Sequence, residues 1–335
     1  MIETPWFEDF SVGDDFSDVP SVTITDGHAA IHQASFADRL RLPLDHNLSR
    51  SVTGSENALI NPSLVCNFAI GQTTIPSQRV MGNLFYRGLV FQQSVFLGDT
   101  LSTSTKVVAL KQNKKREGRA ASGMVALEMH VRNQRDETVL LFWRCPMIPC
   151  RDPDATTGHD DSFALMAEDI SYDQLSASII DWDLETFRSK VSGAHFSNLK
   201  LDEKRVVESQ DTVTMAPEMV RMTLNLAMTH TDATRSVYGK RLVYGGHTIS
   251  MAAAQLTRVL PNMLTILGWF KCDHVSPVFE GDILRTEVTI TGLHKLNDGG
   301  IARLHVETFA TRGSESPTEG ENIKVLDWHM AGLFG

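Results

Sequence analysis

Two segments of the chain share the motif Val-Phe-x-Gly-Asp-x-Leu and lie 183 residues apart, SVFLGDTLSTSTKVVAL at 94–110 and PVFEGDILRTEVTITGL at 277–293. In both, a Gly-Asp turn leads into alternating residues that are typical of a strand. A shorter pair, SVTITD (21–26) and TVTMAP (212–217), indicates a short strand that enters a helix. The repeat therefore predicts two copies of one fold within a single chain.

The elements follow in the same order in each copy. A helical stretch (26–37; 217–229) comes first, and after a polar connection there is a second helix rich in small residues (62–72; 245–260). The second copy's helix is apolar around most of its circumference and is therefore expected to be enclosed. One enclosed helix wrapped by an antiparallel sheet predicts an α+β fold. The predicted long strands are 78–93, 99–112, 121–133 and 136–148 in the first copy, and 264–275, 282–294, 299–311 and 323–332 in the second.

The length of 335 residues suits two compact units. We predict a first unit over 1–150, a linker with one helix over 151–200 that ends its amphipathic part near Lys190, and a second unit over 201–335. The second unit is expected to carry the active site, because it contains the polar residues described below.

Charge and hydropathy exclude several classes of protein. The chain has 31 basic and 41 acidic residues, a formal charge of -10, and no basic stripe, so nucleic acid is not an expected partner. The start, MIETPWFEDF, has no signal-peptide pattern, and no apolar run reaches the roughly 18 residues that span a bilayer. We expect a cytoplasmic protein that does not associate with membranes.

The four cysteines are widely spaced. Only Cys145 and Cys150 are close together, in CPMIPC, and no second pair of ligands lies nearby. We interpret them as reduced residues of the core or of a strand and expect no metal site, with a zinc site as the alternative.

The segment 225–254, NLAMTHTDATRSVYGKRLVYGGHTISMAAA, combines several groups that can carry out chemistry. His230 and Asp232 follow one apolar run, and Gly245 and Gly246 open the enclosed helix. A loop with an imidazole is thus predicted to face a helix N-terminus, which places an acid/base group opposite backbone N–H donors.

The chain resembles the double hotdog form of the MaoC-like (R)-specific enoyl-CoA hydratases. Four segments are similar to the mesaconyl-CoA hydratase or β-methylmalyl-CoA dehydratase branch: FEDFSVGD (7–14), MGNLFYRG (81–88), LGDTL (97–101) and RLVYGGHTIS (241–250). The resemblance implies a double hotdog fold and the reversible syn addition of water to a 2-enoyl thioester. It also implies that coenzyme A is part of the substrate and that no other cofactor is needed.

The resemblance assigns roles to three polar residues. His230 matches the family's catalytic His, and Asp232 matches an Asp that follows it. The family has a catalytic Asp five residues before the His, where this chain has Asn225. Asn cannot exchange a proton at neutral pH but can orient a water. The alternatives are that His230 is a helix-terminal cation, Asp232 an N-cap, and Asn225 a structural amide within the helical stretch.

The family's His-Gly pair at the start of the helix matches Tyr244 and Gly245. Gly245 and its neighbour Gly246 are expected to donate backbone N–H groups to the thioester oxygen. Tyr244 is expected to line the pocket or to pack in the core. His247 is a secondary candidate for substrate binding, with a core role as the alternative.

Basic residues provide candidate contacts to the acidic parts of a substrate. Lys240 and Arg241 precede the helix and are candidates for the phosphates of coenzyme A, although a solvated pair is an equal interpretation. Arg39 and Arg41 are weaker candidates for a free substrate carboxylate, on spacing alone.

The offset of 183 residues aligns Gly245 with Pro62 and Gly246 with Ser63. Proline has no N–H, and the segment FADRLRLPLD (36–45) contains no imidazole. The first copy is therefore predicted to be the non-catalytic half that shapes the acyl pocket, as the resemblance also implies.

The leading hypothesis is a hydro-lyase that acts on a short-chain 2-enoyl-CoA, with branched and dicarboxylic acyl groups left open. An acyl-CoA thioesterase is the alternative within enzymes, with Asp232 directing water at the carbonyl carbon. A non-catalytic acyl-CoA binding protein is the alternative of a different class, motivated by Asn225. Exposed sheet edges make a homodimer the expected assembly.

Overall fold

The computed structural model describes residues 4–166, 168–313 and 320–335. Two central helices, α4 (Pro62–Gln72) and α8 (Gly245–Val259), are wrapped by one large sheet. The other helices in the described chain are α1 (Asp26–Phe36), α2 (Arg41–Leu44), α3 (His46–Thr53), α5 (Tyr172–Ser176), α6 (Leu184–Lys190) and α7 (Ala216–Met222). None of the described helices is both long and apolar enough to cross a membrane.

The sheet contains eight long strands, four from each half of the chain. These are β2 (Gly82–Phe91), β3 (Thr100–Gln112), β4 (Ser122–Arg132), β5 (Thr138–Pro149), β8 (Met263–His274), β9 (Ile283–Leu296), β10 (Gly299–Thr311) and β11 (Asn322–Phe334). Short strands β1 (Val22–Thr23), β6 (Lys204–Val206) and β7 (Asp211–Thr212) pair with β3 or β9 near the two edges. The predicted long strands are confirmed, and their ends differ from the prediction by four residues or fewer.

The strand order is β1-β3-β4-β5-β2-β8-β11-β10-β9-β6, with every pair antiparallel. The two halves meet where β2 pairs with β8, with Tyr86 opposite Cys272. The order from β2 outward is repeated by the order from β8 outward, so the halves are related as the two sides of a pseudo-twofold axis. The α+β architecture is confirmed.

The central helices are enclosed by the inner face of this sheet. Every residue of α4 is buried, and α8 is buried from Gly246 to Thr257. Such helices have no polar face, because both their sheet side and their helix side are covered. Asn61 and Pro62 begin α4 as N-cap and first helical residue, a combination that favours a helix start.

The linker contains two short helices where the sequence predicted one. The predicted helix corresponds to α6, which ends at Lys190, and α5 was missed. Leu175 on α5 and Phe187 on α6 belong to a second apolar cluster with residues of β8 and β11. The linker thus covers the outer face of the sheet beside the junction of the halves.

The helix predicted over 217–229 is shorter than expected. α7 ends at Met222, and Leu224 follows in a left-handed conformation with φ of 58°. Asn225 therefore lies in a loop, and its predicted position inside a helix is wrong. The loop is anchored on the first half, because the Leu226 N–H donates to Thr74 Oγ1 over 2.9 Å.

All four cysteines are buried free thiols. Burial raises the pKa of Cys145 to about 12 and that of Cys150 to about 11, so both thiols stay protonated at neutral pH. In the described chain, no cysteine belongs to a group of three or more side chains arranged to hold a metal.

Candidate active site

A cleft of about 250 Å³ opens between the two halves of the chain. The first half contributes the C-terminal end of α4 and residues of β2 and β5. The second half contributes the loop before α8, the first turn of α8 and the end of β8. The volume lies below the roughly 300–1,000 Å³ of pockets for drug-sized ligands, so the cleft suits a short acyl group.

His230 lines this cleft at the end of a single 3₁₀ turn, Met228–His230. Its Nδ1 lies 2.8 Å from the carbonyl oxygen of Leu242, which makes Nδ1 the protonated nitrogen and leaves the lone pair on Nε2. The ring is accessible only in part, and burial lowers its pKa to about 4. The imidazole is therefore neutral at pH 7 and able to accept a proton.

Asn225 lies on the wall of the same cleft. Its Oδ1 accepts a hydrogen bond of 2.9 Å from the backbone N–H of Ala227. This bond fixes the orientation of the amide, so the NH₂ end is left to donate to a ligand or water. An amide at this place can hold a water oxygen but cannot remove a proton from it.

The first turn of α8 presents unpaired donors to the cleft. Tyr244, the N-cap residue, makes no side-chain cap, and the N–H groups of Gly245 and Gly246 have no protein acceptor among the described residues. The corresponding turn of α4 differs, because Pro62 has no N–H and the Ser63 N–H donates to Asn61 Oδ1 over 2.8 Å. Only the second half keeps free N–H donors at this position.

His274, at the end of β8, is a cleft residue that the sequence reasoning missed. A Cβ built on Gly245 would lie 2.6 Å from Nε2 of His274, so the imidazole stands directly over the glycine. That Nε2 is buried and has no protein partner in the described chain. Burial lowers the pKa of His274 to about 4, and the nearby His230 lowers it further.

Arg144 on β5 was also missed, although it is the single charged residue in the apolar run VLLFWRCPMIPC. It is 3% exposed and donates from Nη2 to Thr73 O and Ser77 Oγ, at 2.7 and 2.6 Å. Arg39 and Arg41, the weaker sequence candidates for a carboxylate, do not line the cleft.

Three predicted site residues lie outside the cleft and line a shallower depression on the surface. Asp232 is the N-cap of the next 3₁₀ turn and accepts from Thr234, so the structural alternative applies to it. The Arg241 guanidinium pairs with Glu280, and the Lys240 ammonium lies 3.9 Å from the centre of the Phe279 ring. The structure does not bring Asp232 to His230 as a water ligand.

Tyr244 and His247 flank the start of α8 on different sides. Tyr244 lines the cleft, with its ring 5.7 Å from that of His230. His247 is fully buried against Phe36, with ring centres 4.8 Å apart, and does not line the cleft. The prediction of His247 as a substrate contact is therefore wrong, and the core alternative applies.

A group of metal-ligating side chains lies on β10 and β11, away from the residues of the cleft. His305 and His329 stack with ring centres 4.1 Å apart, and each has Nε2 within 3.2 Å of Oδ1 of Asp327. Lys324 pairs with the other oxygen of Asp327. The carboxylate is already neutralised by the ammonium, so no cation is required there.

Comparison with known proteins shows relatives along almost the full chain. A β-methylmalyl-CoA dehydratase from Chloroflexus aurantiacus is 33% identical over 328 residues, which cover 92% of this chain and 88% of the relative. A mesaconyl-CoA hydratase from Cereibacter sphaeroides is 28% identical and covers 96% of this chain and 94% of its own. No family model matches the chain.

Solved structures show the same fold. A conserved hypothetical protein from Mycobacterium tuberculosis, described as a double hotdog, aligns with a TM-score of 0.90 and 42% identity over 99% of both chains. A putative MaoC domain protein dehydratase from Chloroflexus aurantiacus aligns with a TM-score of 0.85 and 26% identity, covering 99% of this chain and 97% of its own. The predicted double hotdog fold is confirmed, and the chain belongs to the β-methylmalyl-CoA dehydratase and mesaconyl-CoA hydratase branch of the MaoC-like hydratases.

Proposed function

We propose that this hydratase adds water reversibly across the double bond of a short 2-enoyl-CoA, with His230 as the general acid/base. The carrying observation is the fixed tautomer of His230, whose Nδ1–H is bound to Leu242 O so that the Nε2 lone pair faces the cleft. The relatives' names, a β-methylmalyl-CoA dehydratase and a mesaconyl-CoA hydratase, support this class of substrate.

In the hydration direction, Nε2 of His230 removes a proton from a water held by the Asn225 amide. The water oxygen bonds to C3 of the substrate, and the π electrons move towards the thioester oxygen. The imidazolium then returns the proton to C2, and the double bond is replaced by C–O and C–H bonds. Because one imidazole takes and returns the proton, both new bonds form on the same face, which is syn addition.

The enolate-like oxygen of the intermediate is assigned to the N–H groups of Gly245 and Gly246. They are unpaired in the described protein and lie at the positive end of the α8 dipole. Losing such a donor typically costs about 10²- to 10³-fold in rate. Glycine also allows the thioester to approach the backbone closely.

The low pKa of His230 suits the second half of this cycle. An imidazolium with a pKa of about 4 is a strong acid for a histidine, so it delivers its proton readily to the C2 carbon. His274, above Gly245, is placed to contact the thioester and to exclude water from the donors. The net reaction is neither an oxidation nor a reduction, so it needs no redox cofactor.

The rim of the cleft is assigned to the coenzyme A moiety. Lys240 and Arg241 lie in the sequence just before the cleft residues Leu242 and Val243 and line the neighbouring surface depression. We propose that they meet the phosphates of coenzyme A, with Arg241 exchanging Glu280 for phosphate on binding.

The test is hydration of crotonyl-CoA and mesaconyl-CoA by His230→Ala, followed by loss of enoyl absorbance. The variant should lose about 10²- to 10⁴-fold in kcat. His46→Ala is the matched control, because His46 is an exposed imidazole outside the cleft. Near-normal activity of His230→Ala with an unchanged circular dichroism spectrum would remove His230 from the mechanism.

Two other activities are distinguished in the same assay. A thioesterase would release free thiol, whereas hydration leaves the thioester intact; Asp232, the carboxylate suggested for that reaction, lies outside the cleft. A non-catalytic binding protein would show no turnover until Asn225→Asp supplied the missing acid. The cytoplasmic location and the homodimer stay predictions, which fractionation and light scattering would check.

A further inference from the structure

The described chain contains two buried arginines, and they differ in their counter-charge. Arg312 is 6% exposed and pairs with Asp282 at 2.6 Å, whereas Arg144 is 3% exposed and has no carboxylate within ion-pair distance among the described residues. A buried charge is normally compensated by a partner, because the surrounding medium screens it weakly. Arg144 is the exception.

The hydrogen bonds of Arg144 are incomplete as well. Nη2 makes both recorded bonds, to Thr73 O and Ser77 Oγ. Nε is buried without a partner, and Nη1 makes no hydrogen bond within the described chain. The bond to Thr73 O adds a partial negative charge from the C-terminal end of α4, but it engages only one nitrogen of the guanidinium.

The unpaired side of Arg144 belongs to the reaction cleft. Arg144, His230 and Gly245 line one cavity, and the positive charge of Arg144 contributes to the lowered pKa of His230. Two phenol rings, Tyr86 and Tyr244, lie around the guanidinium and have no negative charge at neutral pH. A ligand is thus the only source of negative charge left to enter this part of the cleft.

We propose that Arg144 binds a second, free carboxylate on the acyl group, so that the substrate is a dicarboxylic 2-enoyl-CoA. The planar guanidinium offers two parallel N–H groups to a carboxylate, which is the fork geometry that such pairs adopt. This assignment rests on the proposed function for the position of the thioester at Gly245. It replaces Arg39 and Arg41 as the carboxylate contact.

The coenzyme A phosphates are the other source of anionic groups, and the depth of Arg144 argues against them. Arg144 is almost fully enclosed, and the cavity of about 250 Å³ around it has room for a short acyl group. Phosphates carry several charges and stay hydrated, so they are better suited to the exposed rim at Lys240.

Two matched pairs of ligands test the assignment. Fumaryl-CoA differs from crotonyl-CoA by a carboxylate in place of the terminal methyl group, and succinyl-CoA differs from butyryl-CoA in the same way but cannot be hydrated. Both members of each pair carry the same phosphates, so a coenzyme A contact affects them equally. The variants are Arg144→Met, which removes the charge, and Arg144→Lys, which keeps the charge and removes the fork.

The wild-type protein should prefer fumaryl-CoA in kcat/KM and bind succinyl-CoA more tightly than butyryl-CoA. In Arg144→Met both ratios should fall by about 10²- to 10³-fold, as expected when one partner of a buried charge pair is removed. Arg144→Lys should give a smaller fall and shows the effect in case the Met variant does not fold. Arg132→Met, which removes an exposed charge from the neighbouring strand β4, should leave both ratios unchanged.

Equal losses for both members of each pair, or no preference in the wild-type protein, would overturn the assignment. The calorimetric comparison of succinyl-CoA with butyryl-CoA does not depend on turnover. An inactive protein that still discriminates through Arg144 would keep the carboxylate site and contradict the hydratase mechanism. An active protein without discrimination would do the reverse.

Discussion

Asn67 and Ser250 occupy the same position in the two halves, 183 residues apart, and bind each other across the junction of the central helices. The Asn67 Nδ2 donates to Ser250 Oγ over 2.8 Å, and both side chains are buried. In a pair of identical helices this contact would join a residue to its own copy. Here the two residues have diverged into a donor and an acceptor that fit each other.

Ser250→Ala should destabilise the fold, because it leaves the Asn67 amide nitrogen buried without a partner. The expected loss is about 1–3 kcal/mol in the free energy of unfolding, measured by urea denaturation. Ser189→Ala on the exposed surface of α6 is the control and should change stability little. An unchanged midpoint in Ser250→Ala would show that water replaces the lost bond.

Gly245→Ala should lose activity by about 10²-fold or more, because its methyl group would occupy space beside the donors where the thioester approaches. The new Cβ would lie 2.6 Å from Nε2 of His274, so the imidazole must also shift. Gly27→Ala is the matched control: its Cβ makes an ordinary contact of 3.6 Å in helix α1. Retained kcat/KM in Gly245→Ala would show that the thioester binds elsewhere.

The pH dependence of hydration should follow the neutral form of His230. Because its pKa is lowered to about 4, the rate should be level from neutral pH down to about pH 5 and fall as the imidazole is protonated near pH 4. Asn225→Asp places a carboxylate in the same cleft, which favours the imidazolium and should move the acidic limb to higher pH. The exposed Asn57→Asp is the control.

An acidic limb near pH 6.5 in the unmodified protein would show that the ring of His230 is solvated. An unchanged limb in Asn225→Asp would show that the two side chains do not share the cleft in solution.

The folded protein should lose stability in acid because several histidines are buried in the neutral form. The pKa of His247 is lowered to about 3 by burial, against about 6.5 in an unfolded chain. The unfolded state therefore binds a proton first, and stability falls as the pH drops from about 6.5 to 3. Each such group contributes up to about 1.4 kcal/mol per pH unit in that window.

His247→Leu should reduce this pH slope by the share of one proton while hydration is retained. Both nitrogens of His247 lack protein partners in the described chain, so Leu removes no recorded hydrogen bond. Denaturation at several pH values measures the slope. An unchanged slope would mean that His247 is already accessible to water in the folded state.

Much of the scaffold could be predicted because its signals are local or repeated. The offset between the copies locates the starts of α4 at Pro62 and α8 at Gly245, and alternation locates the long strands. α7 was predicted too long, because a tertiary contact ends it: the carbonyl of Thr223 packs so closely on Gly71 that a Cβ there would lie 1.9 Å from the oxygen. No local pattern encodes that contact.

The site was predictable only where its residues follow one another in the chain. His230, Tyr244 and Gly245 lie within one segment and do line one cleft. His274 and Arg144 come from strands of different halves, and only the fold brings them there. Asp232 and His247 have suitable chemistry but point to the surface and to the core, which sequence spacing could not show.

The fusion of the two halves permits a cleft that a symmetric dimer of single copies could not build. In such a dimer, any residue that shapes one cleft is repeated in the other, and each substitution changes both. Here the position 183 residues after Arg144 is Asp327, which forms part of a surface cluster with His305 and His329. One half can therefore acquire a cation for substrate recognition while its counterpart acquires an anion, and titration should find one ligand per chain.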